Sequence, residues 1–333
     1  MKVVELWRYP VKSMGGTRVD RLRIDRRGVH ADRLWAVRDV EKGVTASARR
    51  VPVLLQCSAR YAVEPGEDAG PGNAAAVIIT MPDGREFDGG DPGADAALSE
   101  LVGREMRLVS LPPVKDTSEH RMSLQASLAN FAAPQVRSDF GLGDSEDLPD
   151  TSVFTTRQMV TLARYSTPPG TFVDLSPVHV LSTASLRNLS ADGAPYDVRR
   201  FRPNVLIDID IDTDIDHGGD AFPESAWVGG EVRFGDVVLS VTNPTIRCVV
   251  PTRPQPEIDL DQALTRRLAE RTNRFLGVYA DVATPGTVTV GDDVSARPPA
   301  PPGAVERTAA ALGKAATRGL QRLMEATVLR NKG

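Results

Sequence analysis

Cysteine is almost missing from this chain: two thiols, Cys57 and Cys248, stand among 333 residues, far apart and outside any CxxC. That count excludes zinc ribbons, four-cysteine iron–sulfur centres and a disulfide framework, so any cysteine chemistry must run through a single thiol. Long apolar runs are missing as well. No uninterrupted stretch of about 18 apolar residues occurs, which speaks against an ordinary membrane-spanning helix, and the opening MKVVELWRYPVKS lacks the apolar segment of a secretory signal. The expected location is therefore the cytoplasm. Histidine is scarce, and His30, His120, His179 and His217 form no HExxH. No GxSxG, Walker A or GxGxxG sequence is present either, so hydrolase, nucleotide-phosphate and nicotinamide readings lose their usual support. A net charge of −4 argues against a surface built to neutralise phosphate backbones; nucleic acid is not an expected partner, although a local basic pocket remains compatible.

What is present reads as an ordinary soluble, multidomain protein. Apolar residues make up 41% and charged residues 25%, close to normal globular usage, and the length suits about two domains. Residues 1–114 form short alternating runs broken by turn residues, as in VVELWRY, RLWAVRD and VPVLLQCSARYAV, and these predict antiparallel strands. DAALSELVG has the spacing of a short helix. From Lys115 to Thr151 the chain is polar, glycine-containing and irregular, as expected of a connecting segment or active-site loop. Strand patterns return in RPNVLIDIDI, EVRFGDVVLSVTNP and GTVTVGDDV. VHVLSTASLRNLSADG predicts a strand, a turn and a helix capped by Ser182 or Thr183, and DLDQALTRRLAERTN a further helix. Residues 115–296 are thus read as the connecting loop plus a second β-rich domain. Residues 297–333 are read as a proline-rich linker and a helical tail, which from Val305 carries six Lys/Arg against two Glu. A basic amphipathic helix suits an anionic membrane or a partner, but a solvated tail is the plainer reading.

The sharpest local signal is TNPTIRCVVPT, which sets Cys248 beside Arg247 between Pro244 and Pro251, on a stiff turn after a strand. A neighbouring arginine is expected to lower the thiol pKa, and a thiolate is both a nucleophile and a soft metal ligand. The alternative is a buried, inert cysteine, and Cys57 inside VPVLLQC fits that description well. FRPN, residues 201–204, follows Arg199 and Arg200, and arginine forks suit phosphate or heterocycle recognition. YPVKSMGG puts Lys12 and Ser13 in a glycine-ended turn that could cradle an anion. The DIDIDTDID run lacks the glycine and glutamate of a calcium loop, and an edge strand with solvated aspartates is the expectation there.

Taken in order, YPVKS, DRLWAV at 32–37, DLSPVHVLSTASL at 174–186, FRPN, the lone Arg247-Cys248 pair and PGTVTVGDDV at 285–294 resemble the MOSC family. Within it the chain is similar to bacterial relatives of the mitochondrial amidoxime-reducing component. The resemblance spans roughly residues 1–296 and implies a β-rich fold, with a MOSC N-terminal β-barrel domain over residues 1–114 followed by the MOSC β-barrel domain. It implies a molybdenum cofactor, Mo-molybdopterin, held between the domains with Cys248 as catalytic residue and metal ligand. Carried over by motif, Lys12, Ser13, Arg33, Ser176, Arg202, Asn204 and Tyr279 would contact that cofactor. The implied activity is two-electron reduction of a small N-hydroxylated or N-oxygenated substrate. With no ferredoxin domain available on the cysteine count, electrons would come from a separate donor protein such as a ferredoxin or flavodoxin. The rival within the family is a sulfur-carrier or cofactor-delivery protein working through a Cys248 persulfide. Met14 and Ile246 depart from the family pattern, as does an acidic insertion at about 208–220.

Overall fold

The computed structural model describes residues 1–143, 146, 148–150, 152–190, 194–209 and 221–300. The expected helical tail, His217 and most of the acidic insertion lie outside the described residues. Among the described residues the chain is β-rich, with 17 strands and six α-helices. The first ten strands are β1 (Lys2–Arg8), β2 (Thr17–Val19), β3 (Arg21–Asp25), β4 (Gly28–Val29), β5 (Trp35–Asp39), β6 (Val44–Thr45), β7 (Ser58–Tyr61), β8 (Val77–Thr80), β9 (Glu86–Asp88) and β10 (Met106–Ser110). The later ones are β11 (Val178–Ser182), β12 (Val205–Asp208), β13 (Glu231–Phe234), β14 (Val237–Ile246), β15 (Phe275–Thr284), β16 (Gly286–Thr289) and β17 (Val294–Arg297). The helices are α1 (Pro92–Val102), α2 (Leu124–Phe131), α3 (Ala133–Phe140), α4 (Thr156–Arg164), α5 (Thr183–Leu189) and α6 (Ala263–Thr272).

One eight-stranded sheet, ordered β17-β13-β14-β15-β11-β12-β1-β2, organises the molecule. Its pairs are antiparallel except β11 with β12, whose connection runs through α5, as a parallel crossover requires. The N-terminal strand β1 is built into this sheet against β12, and β3 pairs with β16 near the far end of the chain. The first 30 residues therefore share sheets with the C-terminal half. A second core, around Met14, Leu54, Cys57, Ile79 and Leu98, lies under β5, β7, β8 and α1.

Local chemistry accounts for much of this. Ser182 ends β11 and accepts from the Ser185 N–H at 3.1 Å, capping α5 as the motif predicts. Two expectations need correction. The 115–151 segment is not irregular: it carries α2 and α3, with Ser123 capping α2 and Gly141 ending α3 in the left-handed region. α2 buries none of its residues in a core, so it has no apolar stripe to read. The VPVLLQ run is a 3-10 turn, Pro52–Gln56, since Pro52 has no N–H for a ladder. β12 is an interior strand between β11 and β1, and Asp208 at its end accepts from the Thr183 hydroxyl at 2.5 Å; the DIDIDTDID run beyond Ile209, for which an edge strand is expected, lies outside the described residues.

Candidate functional site

β14 shifts register against β15 at Val241/Asn243 and again at Pro244/Ile246. Such irregularities bend a strand and re-aim the residues beyond it, and Cys248 stands two positions past the last of them. The turn after Cys248 is clamped by Arg200, which is buried and donates to the Pro251 carbonyl at 3.0 Å and to that of Asp259 at 2.7 Å. Cys248 is half-buried and faces a cavity of about 330 Å³. All seven residues carried over by motif, Lys12, Ser13, Arg33, Ser176, Arg202, Asn204 and Tyr279, line that same cavity. Seven Lys/Arg and two Asp line it, so an acidic protein has concentrated positive charge in one place, as an anion site requires.

The backbone under these residues is unusual. Ser13, Arg33 and Arg202 have φ of 72°, 53° and 56°, a conformation that costs non-glycine residues energy and persists only where surroundings impose it. Tyr9 is part of that imposition. Two guanidinium groups lie over its ring, Arg202 at 4.3 Å and Arg33 at 4.9 Å from the centroid. Its backbone N–H donates to Asp32 at 2.7 Å, and Asp32 also pairs with Arg33. Arg202 donates to the Met14 carbonyl at 2.6 Å, leaving its Nη2 buried without a partner. Burial lowers the Arg202 pKa to about 10, so it stays charged at neutral pH, with a donor still to satisfy.

Lys12 is buried and ion-paired with Asp174, whose carboxylate opens onto the cavity. Burial alone would raise the Asp174 pKa, but Lys12, Arg49 and Arg33 outweigh it and hold the carboxylate well below its ordinary range. Ser13 Oγ accepts from the Ala48 N–H at 2.9 Å, which leaves its own proton free to donate. Asn204 stitches the scaffold: it accepts from the His179 N–H at 3.1 Å and donates to the Trp7 carbonyl at 3.3 Å. Tyr279 is tilted against His179, and burial, followed by Asp174, pushes its phenol up to about 12.

The expected role of Arg247 is not what the geometry gives. Its guanidinium donates to the Leu276 carbonyl at 2.8 and 2.5 Å, the Phe201 carbonyl at 3.0 Å and His179 Nε2 at 2.6 Å. It is a buried clamp. The Cys248 thiol pKa is raised, not lowered, because burial dominates, and the largest opposing charge is Arg49. Arg49, Asp174 and Tyr9 are the residues that sequence reasoning missed. The first stands in SARRVP, the second in DLSP and the third in YPVKS, so two of the three sit inside the motifs that carry the family resemblance. Cys57 is fully buried in the second core with its thiol pushed up to about 12, which makes it inert.

Among the described residues no group of three or more His, Cys, Asp or Glu stands together as a metal site. The cationic lining, the orphaned Arg202 donor and the single soft ligand fit a phosphate-bearing, sulfur-chelated cofactor. No helix among the described residues is long and apolar enough to cross a membrane.

Comparison with known proteins agrees in extent. Residues 168–295 match the MOSC domain and residues 1–90 the MOSC N-terminal beta barrel domain. The chain is similar to mitochondrial amidoxime-reducing component 1 of Mus musculus, 26% identical over 88% of this chain and 81% of that one. It is also similar to mitochondrial amidoxime reducing component 2 of Bos taurus, at 24% over 88% and 82%. Among solved structures, the YUAD protein from Bacillus subtilis aligns over 88% of this chain and 93% of that one, at 11% identity and a TM-score of 0.36.

Proposed function

Because this chain belongs to the MOSC family, we propose that it binds a molybdenum cofactor through Cys248 and reduces N-hydroxylated compounds. One observation carries the reading: a single cavity gathers Cys248 with Lys12, Ser13, Arg33, Ser176, Arg202, Asn204 and Tyr279, contributed by both ends of the chain. The amidoxime-reducing relatives indicate the reaction class.

In this reading Arg33, Arg202 and Lys12 would neutralise the cofactor's anionic groups, Ser13 and Ser176 would donate hydroxyl hydrogen bonds, and Cys248 would be the one protein ligand to molybdenum. When bound, the cofactor supplies two-electron redox chemistry. Reduction of an N–OH group to N–H consumes two electrons and two protons and releases water. The electrons would come from a separate donor protein. His179 is a poor proton source, because its Nε2 accepts from Arg247 and its Nδ1–H faces the Arg202 carbonyl at 3.3 Å. Tyr279 stays protonated at neutral pH and can donate toward a substrate. Asp174, kept ionised by Lys12, can accept.

The test is metal content by mass spectrometry and pterin by fluorescence, for wild type and Cys248→Ala purified from a cofactor-competent host, followed by reduction of N-hydroxylated substrates with an artificial donor. Near-stoichiometric molybdenum that falls sharply in Cys248→Ala, with turnover in the wild type, supports the proposal. Molybdenum absent from both overturns it. Stoichiometric cofactor without turnover would transfer the role of Cys248 to sulfur carriage or cofactor delivery.

A further inference from the structure

The cavity is lined by both cations and apolar side chains, and six of the large apolar ones come from a single part of the chain. Its cations come from the loops after β1, β4, β6 and β14 and from residues 200–202, whereas Phe131, Val136, Phe140, Phe154, Met159 and Leu162 come from residues 131–140 and 154–162. That part of the chain lies between the two domain matches, 1–90 and 168–295.

Phe131, Val136, Phe140 and Leu162 are only half-buried, and Phe154 and Met159, though buried, belong to none of the hydrophobic core clusters. α2 buries none of its residues and α4 buries only Met159. Yet the stretch is fastened to the strand that leads into Cys248 and to the turn beyond it. The Asp139 carbonyl accepts from the N–H of Val249, the residue after Cys248, at 2.9 Å. Gln158 of α4 donates to Asn243 of β14 at 2.9 Å, and Asn243 donates back to the Val153 carbonyl at 2.5 Å. Arg50 completes the fastening with two bonds to the Asp139 carboxylate, at 3.2 and 2.8 Å. The apolar part of the lining is therefore held in register with Cys248 and is not free to drift from it.

We infer that residues 131–140 and 154–162 form a substrate-selecting wall, which admits N-hydroxylated compounds with an uncharged, apolar body, aryl or alkyl, in preference to small or polar ones. The inference rests on the reductase reading of the same cavity. Once the cations are engaged by an anionic cofactor, this wall is an apolar surface still open to the body of a substrate. A charged or hydroxyl-rich body would lose its hydration there without gaining partners, while an apolar one gains with each area it buries.

Benzamidoxime and acetamidoxime carry the same reacting head on bodies of different apolar area. Their binding to the molybdenum-loaded full chain is measured by calorimetry, with reduction followed in parallel, for wild type, Phe131→Ser and Leu162→Ser. Both substituted positions are half-buried, and melting curves check that each variant folds. Wild type should bind benzamidoxime about tenfold or more tightly than acetamidoxime, and each variant should cut that ratio about fivefold with molybdenum content unchanged. Equal binding of the two compounds by wild type overturns the wall, as does a preference that survives both substitutions. A binding preference without turnover keeps the wall and overturns the reductase reading, and turnover without a preference does the reverse.

Discussion

Arg247 donates to Nε2 of His179 across 2.6 Å, in the floor of the cavity that Cys248 faces. A guanidinium can only donate, so Nε2 must be the accepting nitrogen and the ring proton sits on Nδ1, toward the Arg202 carbonyl. Burial, reinforced by the Arg247 charge, keeps this histidine neutral. The Arg247 charge thus holds His179 in one protonation state, and through Leu276 in β15 and the adjacent Phe201 and Arg202 the pair holds two segments in place.

Replacing Arg247 by lysine should therefore be costly although the charge is kept. A single ammonium cannot reach the Leu276 and Phe201 carbonyls and His179 together. Urea denaturation should register a loss of about 2–4 kcal/mol. A loss below about 0.5 kcal/mol would show that the clamp contributes little.

Gly277 faces the same clamp from β15. Its φ is 75°, and a Cβ there would stand 2.6 Å from His179 Nε2 and 2.8 Å from the Val180 carbonyl. Gly277→Ala should lower stability by about 2–4 kcal/mol, from a strained backbone plus a displaced histidine. A melting temperature within about 2 °C of wild type, against a shift of several degrees expected on roughly this scale, would contradict the crowding.

Acidification should weaken the fold through His120. This residue is fully buried, its Nδ1 lies 2.8 Å from the Thr167 hydroxyl, and burial lowers its pKa from 6.5 to about 4. The folded protein keeps the ring neutral while the unfolded chain takes up a proton below its ordinary value. Between those two values the unfolded state binds more protons, so stability falls as pH falls. The contribution lost between about pH 7 and pH 5 is about 2 kcal/mol, and His179 acts in the same direction. Denaturation at the two pH values should show a shallower difference in His120→Gln. An unchanged difference would remove His120 from the account.

Tyr9 is expected to organise the cations without touching their ligand. Tyr9→Phe keeps both stacks and loses only the bond to the Pro203 carbonyl, at 3.1 Å. Tyr9→Leu loses both stacks, each worth roughly 1 kcal/mol. Pterin content after purification, together with the melting shift produced by added pyrophosphate, should be close to wild type in the first and reduced about tenfold or more in apparent affinity in the second. Equal behaviour of the two variants would deny the stacks any role.

What could be read from residue order is what short-range chemistry controls. Gly235 at the tip of EVRFGDVVLS adopts a φ of 54° and closes the β13–β14 hairpin, and Ser182 caps α5. Cys57 is inert because its neighbours are apolar. α2 and α3 escaped notice because their Ala, Ser and Gln residues carry no apolar period to detect. The motifs named most of the cavity's residues, but not how each is used. Arg247 looked like the cation that activates Cys248, yet backbone carbonyls and a histidine meet it in the fold and consume its donors. Arg49 is instead the largest charge opposing the burial that raises the thiol pKa, while Asp174 adds to that rise.

The sequence by itself determined the β-rich composition, the caps and turns, and the set of residue types able to hold an anion and a soft metal, because each depends on neighbours along the chain. Only the tertiary structure decided that Lys12 and Cys248 share one cavity, since that depends on β1 pairing with β12 inside the large sheet. It also decided that Arg202 keeps a buried donor unspent and that an apolar wall stands in the same cavity as Cys248. Such long-range pairings arise from the burial of whole sheet faces, and no spacing of residues along the chain encodes them singly.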